Sequence, residues 1–179
     1  MILTVTTSSE EQTRRFGAFF AEILRGGDVV AINGVLAAGK TRFVQGVVAG
    51  LGGDPATVTS PTFTLLHEYE TDPPVTHADA YRLADSDEFL ALGISEHWDD
   101  GAIVLVEWAS RVADALPRRT LTVTGTVNQD SGEHCFELRD ARNDLIRPLA
   151  ERLDGALAAD IGRVEIGLDD DEQPSTPAD

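Results

Sequence analysis

The residues with the clearest chemical potential are Gly34-Val35-Leu36-Ala37-Ala38-Gly39-Lys40-Thr41, which match the spacing G-x-x-x-x-G-K-[ST]. Glycines at both ends let the backbone curl and present successive N–H groups to phosphate oxygens. A helix starting here aims the partial positive charge of its N-terminus at the same place. Lys40 then reaches β and γ phosphates, and the Thr41 hydroxyl can ligate Mg²⁺. Lys40 is also the single lysine of the chain, beside thirteen arginines. With glycine near 7% of residues, a chance match in a chain this long is on the order of one in a hundred. Nucleotide binding is therefore preferred to the bland alternative of a Gly/Ala-rich loop.

Such a loop needs a carboxylate at the end of a neighbouring strand, holding the metal directly or through water. Glu107, after the apolar run Ile103–Val106, is the first candidate, and Asp79, closing Val75–Asp79, is the second. His77 stands two residues before Asp79. A single histidine at a strand end is as readily structural as functional.

The elements that must position these groups follow from periodicity. Residues 28–33 read as a buried strand, apolar without strict alternation, and residues after Thr41 as a helix to about Leu51. Ser9-Glu10-Glu11-Gln12 has capping-box spacing, and Phe16, Phe19, Phe20, Ile23 and Leu24 recur at helical intervals, which predicts a helix over 10–25. Strands are expected at 2–6, 62–70, 75–79 and 102–107, and a hairpin at 120–127 and 134–139. Short helices are expected over 84–99 and from Ala109 to Leu116, and a last helix over 144–158. The order predicts an α/β protein with a P-loop NTPase-like three-layer fold around a central mixed, mainly parallel sheet. One domain over residues 1–160 is expected, followed by an acidic, disordered tail over 161–179.

Composition narrows the function classes. The chain has 179 residues, 42% of them apolar, and a net charge of −17 from 31 acidic and 14 basic side chains. That surface repels phosphate backbones, so autonomous binding of DNA or RNA is disfavoured and any role near nucleic acid runs through a partner. The lone Cys135 excludes an internal disulfide framework or a cysteine-based zinc site. No run approaches the roughly 18 apolar residues a membrane helix needs, and nothing after Met1 reads as a signal peptide. A cytoplasmic, membrane-free protein is expected.

Further motifs carry a resemblance. Ser60-Pro61-Thr62-Phe63-Thr64-Leu65, His77-Ala78-Asp79-Ala80-Tyr81-Arg82-Leu83, Leu92-Gly93-Ile94 and Val106-Glu107-Trp108 follow the glycine-rich loop in order. With that loop, they make residues 5 to about 117 similar to the TsaE family (formerly YjeE), bacterial P-loop ATPases needed for the threonylcarbamoyl-adenosine modification of tRNA. The resemblance implies ATP and Mg²⁺ as cofactors. It implies Thr41 and Glu107 as metal ligands, with Asp79 supporting the metal or the attacking water beside the catalytic Lys40. It implies nucleotide contacts from Gly34, Leu36, Ala37, Ala38, Gly39, Lys40, Thr41 and Arg42, from Glu10 or Glu11 near the adenine, and from Trp108. Ser60–Thr64 would form a nucleotide-sensing loop. TsaB and TsaD type proteins would be the partners, with tRNA contacted only through them.

Three positions depart from the family's usual G-D-L-G-A-G-K-T-T: Val35, Ala37 and Arg42. Binding is expected to survive because Gly34, Gly39, Lys40 and Thr41 are intact, whereas the changes bear on hydrolysis rate. The functional expectation is an Mg²⁺-dependent ATPase serving threonylcarbamoylation of adenosine in ANN-decoding tRNAs. The alternatives are a small P-loop kinase, with Arg82 or Arg111 acting on phosphate, and a nucleotide-gated assembly module without appreciable turnover.

Overall fold

Two strands determine the layering. In β2 (Val29–Gly34) and β5 (Ile103–Glu107), successive side chains point to opposite faces and both faces are apolar. Val30, Ile32, Ile103 and Leu105 enter one core, and Val29, Ala31, Val104 and Val106 enter another. A sheet with such strands at its centre must be covered on both sides. The computed structural model, which describes residues 1–140, 145–153 and 160–167, shows that covering. Helices α1 (Glu10–Ala21) and α2 (Lys40–Gly50) lie on the first face. Helices α3 (Ser86–Ala91) and α4 (Ile94–Asp99), with a 3-10 run over Ala109–Ala115, lie on the second. Helix α5 (Ile146–Arg152) adds Ile146, Leu149 and Ala150 to the first core.

The sheet is mixed and parallel at its centre. Strand β4 (Val75–Asp79) runs parallel to β5, β5 to β2, and β2 to β6 (Leu121–Val127). Antiparallel strands flank this group: β3 (Leu66–Tyr69) on β4, then β7 (His134–Arg139), β1 (Ile2–Thr7) and β8 (Arg163–Gly167) beyond β6. The full order is β3-β4-β5-β2-β6-β7-β1-β8.

Phenylalanines fasten α2 to the sheet. The Phe43 ring lies 5.3 Å from Phe16, 5.2 Å from Phe20 and 5.8 Å from Phe136, centroid to centroid. All four are fully buried, and truncating such a ring costs about 3–5 kcal/mol. Phe43 follows Thr41 by two residues, so this cluster fixes where α2 begins and hence where its N-terminus points.

Several boundaries differ from the sequence-based expectation. The Ser9 hydroxyl accepts from the Gln12 amide at 3.2 Å, but the Gln12 side chain accepts from the backbone N–H of Ser8, not Ser9, at 2.8 Å. The capping box is thus displaced by one residue. Helix α1 ends at Ala21, before Gly26-Gly27. Residues 62–65 form a turn instead of the start of a strand: Leu65 N–H reaches back to Pro61 O at 2.6 Å, with Leu65 at φ +67°. The last helix is seen over Ile146–Arg152, while the rest of the expected 144–158 span includes residues outside the described ones. Strand β8 falls in the stretch assigned to the tail, because its backbone pairs with β1 from Thr6↔Arg163 to Ile2↔Gly167. The folded unit therefore extends past residue 160, and the acidic run from Asp169 lies outside the described residues. Among the described residues, no helix is long and apolar enough to cross a membrane.

Candidate functional site

The site is built where β2 gives way to α2. Gly34 ends β2 at φ +130°, opposite Gly125 of β6, and a Cβ there would stand 2.0 Å from Gly125 O. Only a residue without a side chain lets the two backbones meet before the turn. Gly34→Ala is accordingly expected to destabilise the fold by about 2–4 kcal/mol through overpacking and a disfavoured dihedral. A denaturant titration read by circular dichroism measures this. Loss under 1 kcal/mol would contradict the geometry.

Beyond Gly34 the loop carries strain of its own. Ala37 takes φ +63° and Gly39 φ +88°. Alanine at such an angle costs on the order of 1–2 kcal/mol, so the Ala37 methyl is held in a conformation that glycine would take freely. The loop then leads into α2, where Phe43 N–H bonds to Gly39 O at 2.9 Å.

Lys40 folds inward over this loop. Its Nζ donates to Gly34 O at 3.0 Å and Val35 O at 2.9 Å, and lies 4.2 Å from the centroid of the Trp108 ring. Burial pushes its pKa below the ordinary lysine value, while the Glu107 and Asp79 carboxylates pull it back up. Trp108, at φ +57°, is turned to the cavity just past the end of β5, and Tyr81 packs on it at 5.0 Å between ring centroids.

Glu107 ends β5 with 3% of its surface exposed. Its Oε1 takes two neighbours: Thr41 Oγ1 at 3.5 Å and His77 Nε2 at 3.0 Å. Thr41 and Glu107 together present hard oxygen donors, the chemistry Mg²⁺ prefers. Asp79 lies in register with Glu107 on β4, yet its carboxylate is engaged elsewhere. Oδ2 accepts from Thr62 at 2.8 Å and Ser60 at 3.4 Å, and Oδ1 from the Tyr81 N–H at 2.8 Å. Asp79 therefore acts on the Ser60–Thr64 loop and does not itself line the cavity.

That cavity has a volume of about 440 Å³ and is open at one side. Of the residues the sequence reading assigned to nucleotide contact, Leu36, Ala37, Ala38, Gly39, Lys40, Thr41, Arg42, Trp108 and Glu10 line it together with Glu107, whereas Gly34 does not. Ser60 and Thr62 also line it. Glu11, one residue from Glu10, does not: a step of about 100° around the helix turns it to Arg14 and Arg15, 3.2 Å and 3.1 Å away. Arg42 is drawn sideways by Glu10, at 3.1 Å, and Gln45, at 3.2 Å. Arg82 lies over the Phe63 ring at 4.2 Å and Arg111 donates to Leu83 O at 3.0 Å, so neither guanidinium faces the cavity. Two lining residues, Thr13 and His134, escaped the sequence reading. His134 has a buried Nδ1 with no partner among the described residues, and it comes from a strand some hundred positions past the loop, where no motif marks it.

A family model described as threonylcarbamoyl adenosine biosynthesis protein TsaE matches residues 7–135. The chain belongs to the TsaE family. It is 41% identical over 122 residues to the tRNA threonylcarbamoyladenosine biosynthesis protein TsaE of Treponema pallidum, a match covering 68% of this chain and 90% of the relative. The protein of the same name from Bacillus subtilis is 37% identical over 118 residues, covering 65% of this chain and 73% of the relative. Among solved structures, Bacillus subtilis YdiB is similar with a TM-score of 0.69 and 30% identity, over 86% of this chain and 94% of that one. The TsaE match spans every cavity-lining residue, from Glu10 to His134.

Proposed function

We propose that this chain binds ATP with Mg²⁺ in the Gly34–Thr41 loop and hydrolyses it in the cytoplasm, acting on a TsaB–TsaD pair during threonylcarbamoylation of adenosine in ANN-decoding tRNAs. The observation that carries this reading is the convergence of Lys40, Thr41 and Glu107 at one 440 Å³ cavity. The names of the relatives supply the pathway.

The chain's own residues would work as follows. The amides of Ala37 to Thr41 and the α2 N-terminus receive phosphate oxygens. Lys40 exchanges the carbonyls of Gly34 and Val35 for the β and γ phosphates, a stronger charge-assisted contact. Thr41 and Glu107 would hold Mg²⁺, which would supply positive charge to offset the negative charge of the phosphates. The two side chains fit that ion by chemistry, since a hydroxyl and a carboxylate 3.5 Å apart are both hard oxygen donors. Asp79 sets the Ser60 and Thr62 hydroxyls at the cavity wall. Glu10, Thr13 and His134 line the remaining end, where the base would lie.

The test is Mg²⁺-dependent phosphate release from ATP by the protein alone, then with TsaB and TsaD from the same source. Turnover that appears or rises with the partners is expected. Absence of ATP binding would overturn the reading. A nucleotide-gated assembly module with slow turnover is the second reading, favoured by the strained Ala37 and by Arg42 being tethered to Glu10. Tight binding without phosphate release in either condition selects it. A kinase role for Arg82 or Arg111 has no support in their placement.

Nucleic acid is proposed to be held by the partners. The isolated protein, at net charge −17, is expected to show negligible tRNA affinity at physiological salt. Sub-micromolar binding in a filter assay would refute that division of labour.

A further inference from the structure

One buried titratable side chain touches the site without lining the cavity. His77 on β4 is fully buried, and its Nε2 lies 3.0 Å from Glu107 Oε1, the oxygen that also faces Thr41 Oγ1. A carboxylate oxygen only accepts, so Nε2 carries the hydrogen of this contact. The ring's Nδ1 is buried and has no hydrogen-bond partner among the described residues. Leaving a buried polar atom unpaired is costly, and an apolar side chain on this face of the sheet, where Val75 and Leu105 are buried, would avoid the cost. The imidazole's one satisfied atom is the one on Glu107.

We infer that His77 is a positioning residue: its Nε2–H fixes the Glu107 carboxylate so that Glu107 is presented to a divalent cation beside Thr41. The contact crosses between adjacent parallel strands, where His77 and Asp79 share one face of β4 and Asp79 stands in register with Glu107. Partners that orient a metal ligand from behind typically change metal affinity 10- to 100-fold when removed. This inference rests on the reading of Thr41 and Glu107 as the Mg²⁺ site.

The test uses the full chain and a non-hydrolysable ATP analogue, with affinity measured by calorimetry in EDTA and across a Mg²⁺ titration. His77→Gln places an amide nitrogen near the Nε2 position, whereas His77→Asn is too short to reach Glu107. His77→Asn is expected to raise the Mg²⁺ concentration for half-maximal tightening about 10- to 100-fold. His77→Gln should stay within about threefold of wild type by the same orienting logic, and both variants should keep wild-type affinity in EDTA. Thermal melts establish that each is folded. Should His77→Asn fail to fold, His77→Phe replaces it as the variant without a donor.

Unchanged Mg²⁺ dependence in the donor-less variant overturns the inference, as does an equal loss in both variants. A parallel loss of affinity in EDTA also overturns it, because that marks a general packing role. A wild-type protein that binds the analogue with no Mg²⁺ effect defeats the Thr41–Glu107 assignment itself, and the inference with it.

Discussion

Lys40→Ala is expected to lower ATP affinity by at least about a hundredfold, close to 2.7 kcal/mol. Removing one member of a desolvated charge pair costs 2–5 kcal/mol, and no second lysine exists to compensate. The effect should be larger than simple charge deletion suggests. Lys40 Nζ also ties down the carbonyls of Gly34 and Val35 and rests on Trp108, so its loss frees the loop as well. Lys40→Arg should rescue little, since a planar fork cannot replace a compact ammonium donating to two carbonyls. Calorimetric titration with MgATP checks both variants, with thermal melts to show that the fold persists. Unchanged binding in Lys40→Ala would refute the nucleotide site.

Glu107→Gln is the second large effect. It preserves shape, so the buried strand end should stay packed, but it removes the negative charge beside Thr41. ATP turnover in the presence of TsaB and TsaD is expected to drop about 10²- to 10³-fold, the scale seen when one preorganised electrostatic group is lost. Binding of Mg²⁺-free ATP should change little or improve, because an anion no longer faces the phosphates. A variant that hydrolyses at the wild-type rate would move the metal role to another residue. Asp79 is the residue to examine in that event. Its carboxylate is committed to Ser60, Thr62 and the Tyr81 amide, so Asp79→Ala should act through the mobility of the Ser60–Thr64 turn.

Two of the three departures in the loop, Ala37 and Arg42, have a structural meaning. Ala37 does sit at positive φ, so its methyl is a strain and not a neutral exchange. Arg42 lines the cavity with its guanidinium held by Glu10 and Gln45. On the proposed function, both are expected to bear on the rate of hydrolysis more than on binding, because neither disturbs Gly34, Gly39, Lys40 or Thr41.

The strand–loop–helix around Gly34–Thr41 was fully legible in the sequence, because contiguous residues set it: an apolar run, two glycines, a lysine and an amphipathic stretch. Glu107 was legible for the same reason, as a carboxylate closing an apolar strand. The turn at 62–65 was not. Thr62, Phe63, Thr64 and Leu65 have strand-forming side chains, yet the hold of Asp79 on Thr62 across the sheet outweighs that preference. Strand β8 was hidden because Arg163-Val164-Glu165-Ile166-Gly167 is polar enough to pass for tail, and only the unpaired edge of β1 recruits it. Glu10 and Glu11 are chemically identical, and the rotation of α1 alone separates the cavity residue from the surface one.

What the sequence determined by itself was the set of groups behind the proposed chemistry, since a glycine-rich loop, a cation and hard oxygen donors are properties of residue types at short spacing. What only the tertiary structure decided was which side chains meet. The order β4-β5-β2-β6-β7 brings His77 to Glu107, Glu107 to Thr41, and His134 to Gly39. These contacts join residues up to about a hundred positions apart, and they exist because two-sided apolar strands must pack side by side to leave water. That choice of neighbours is a property of the whole core, which no local spacing contains.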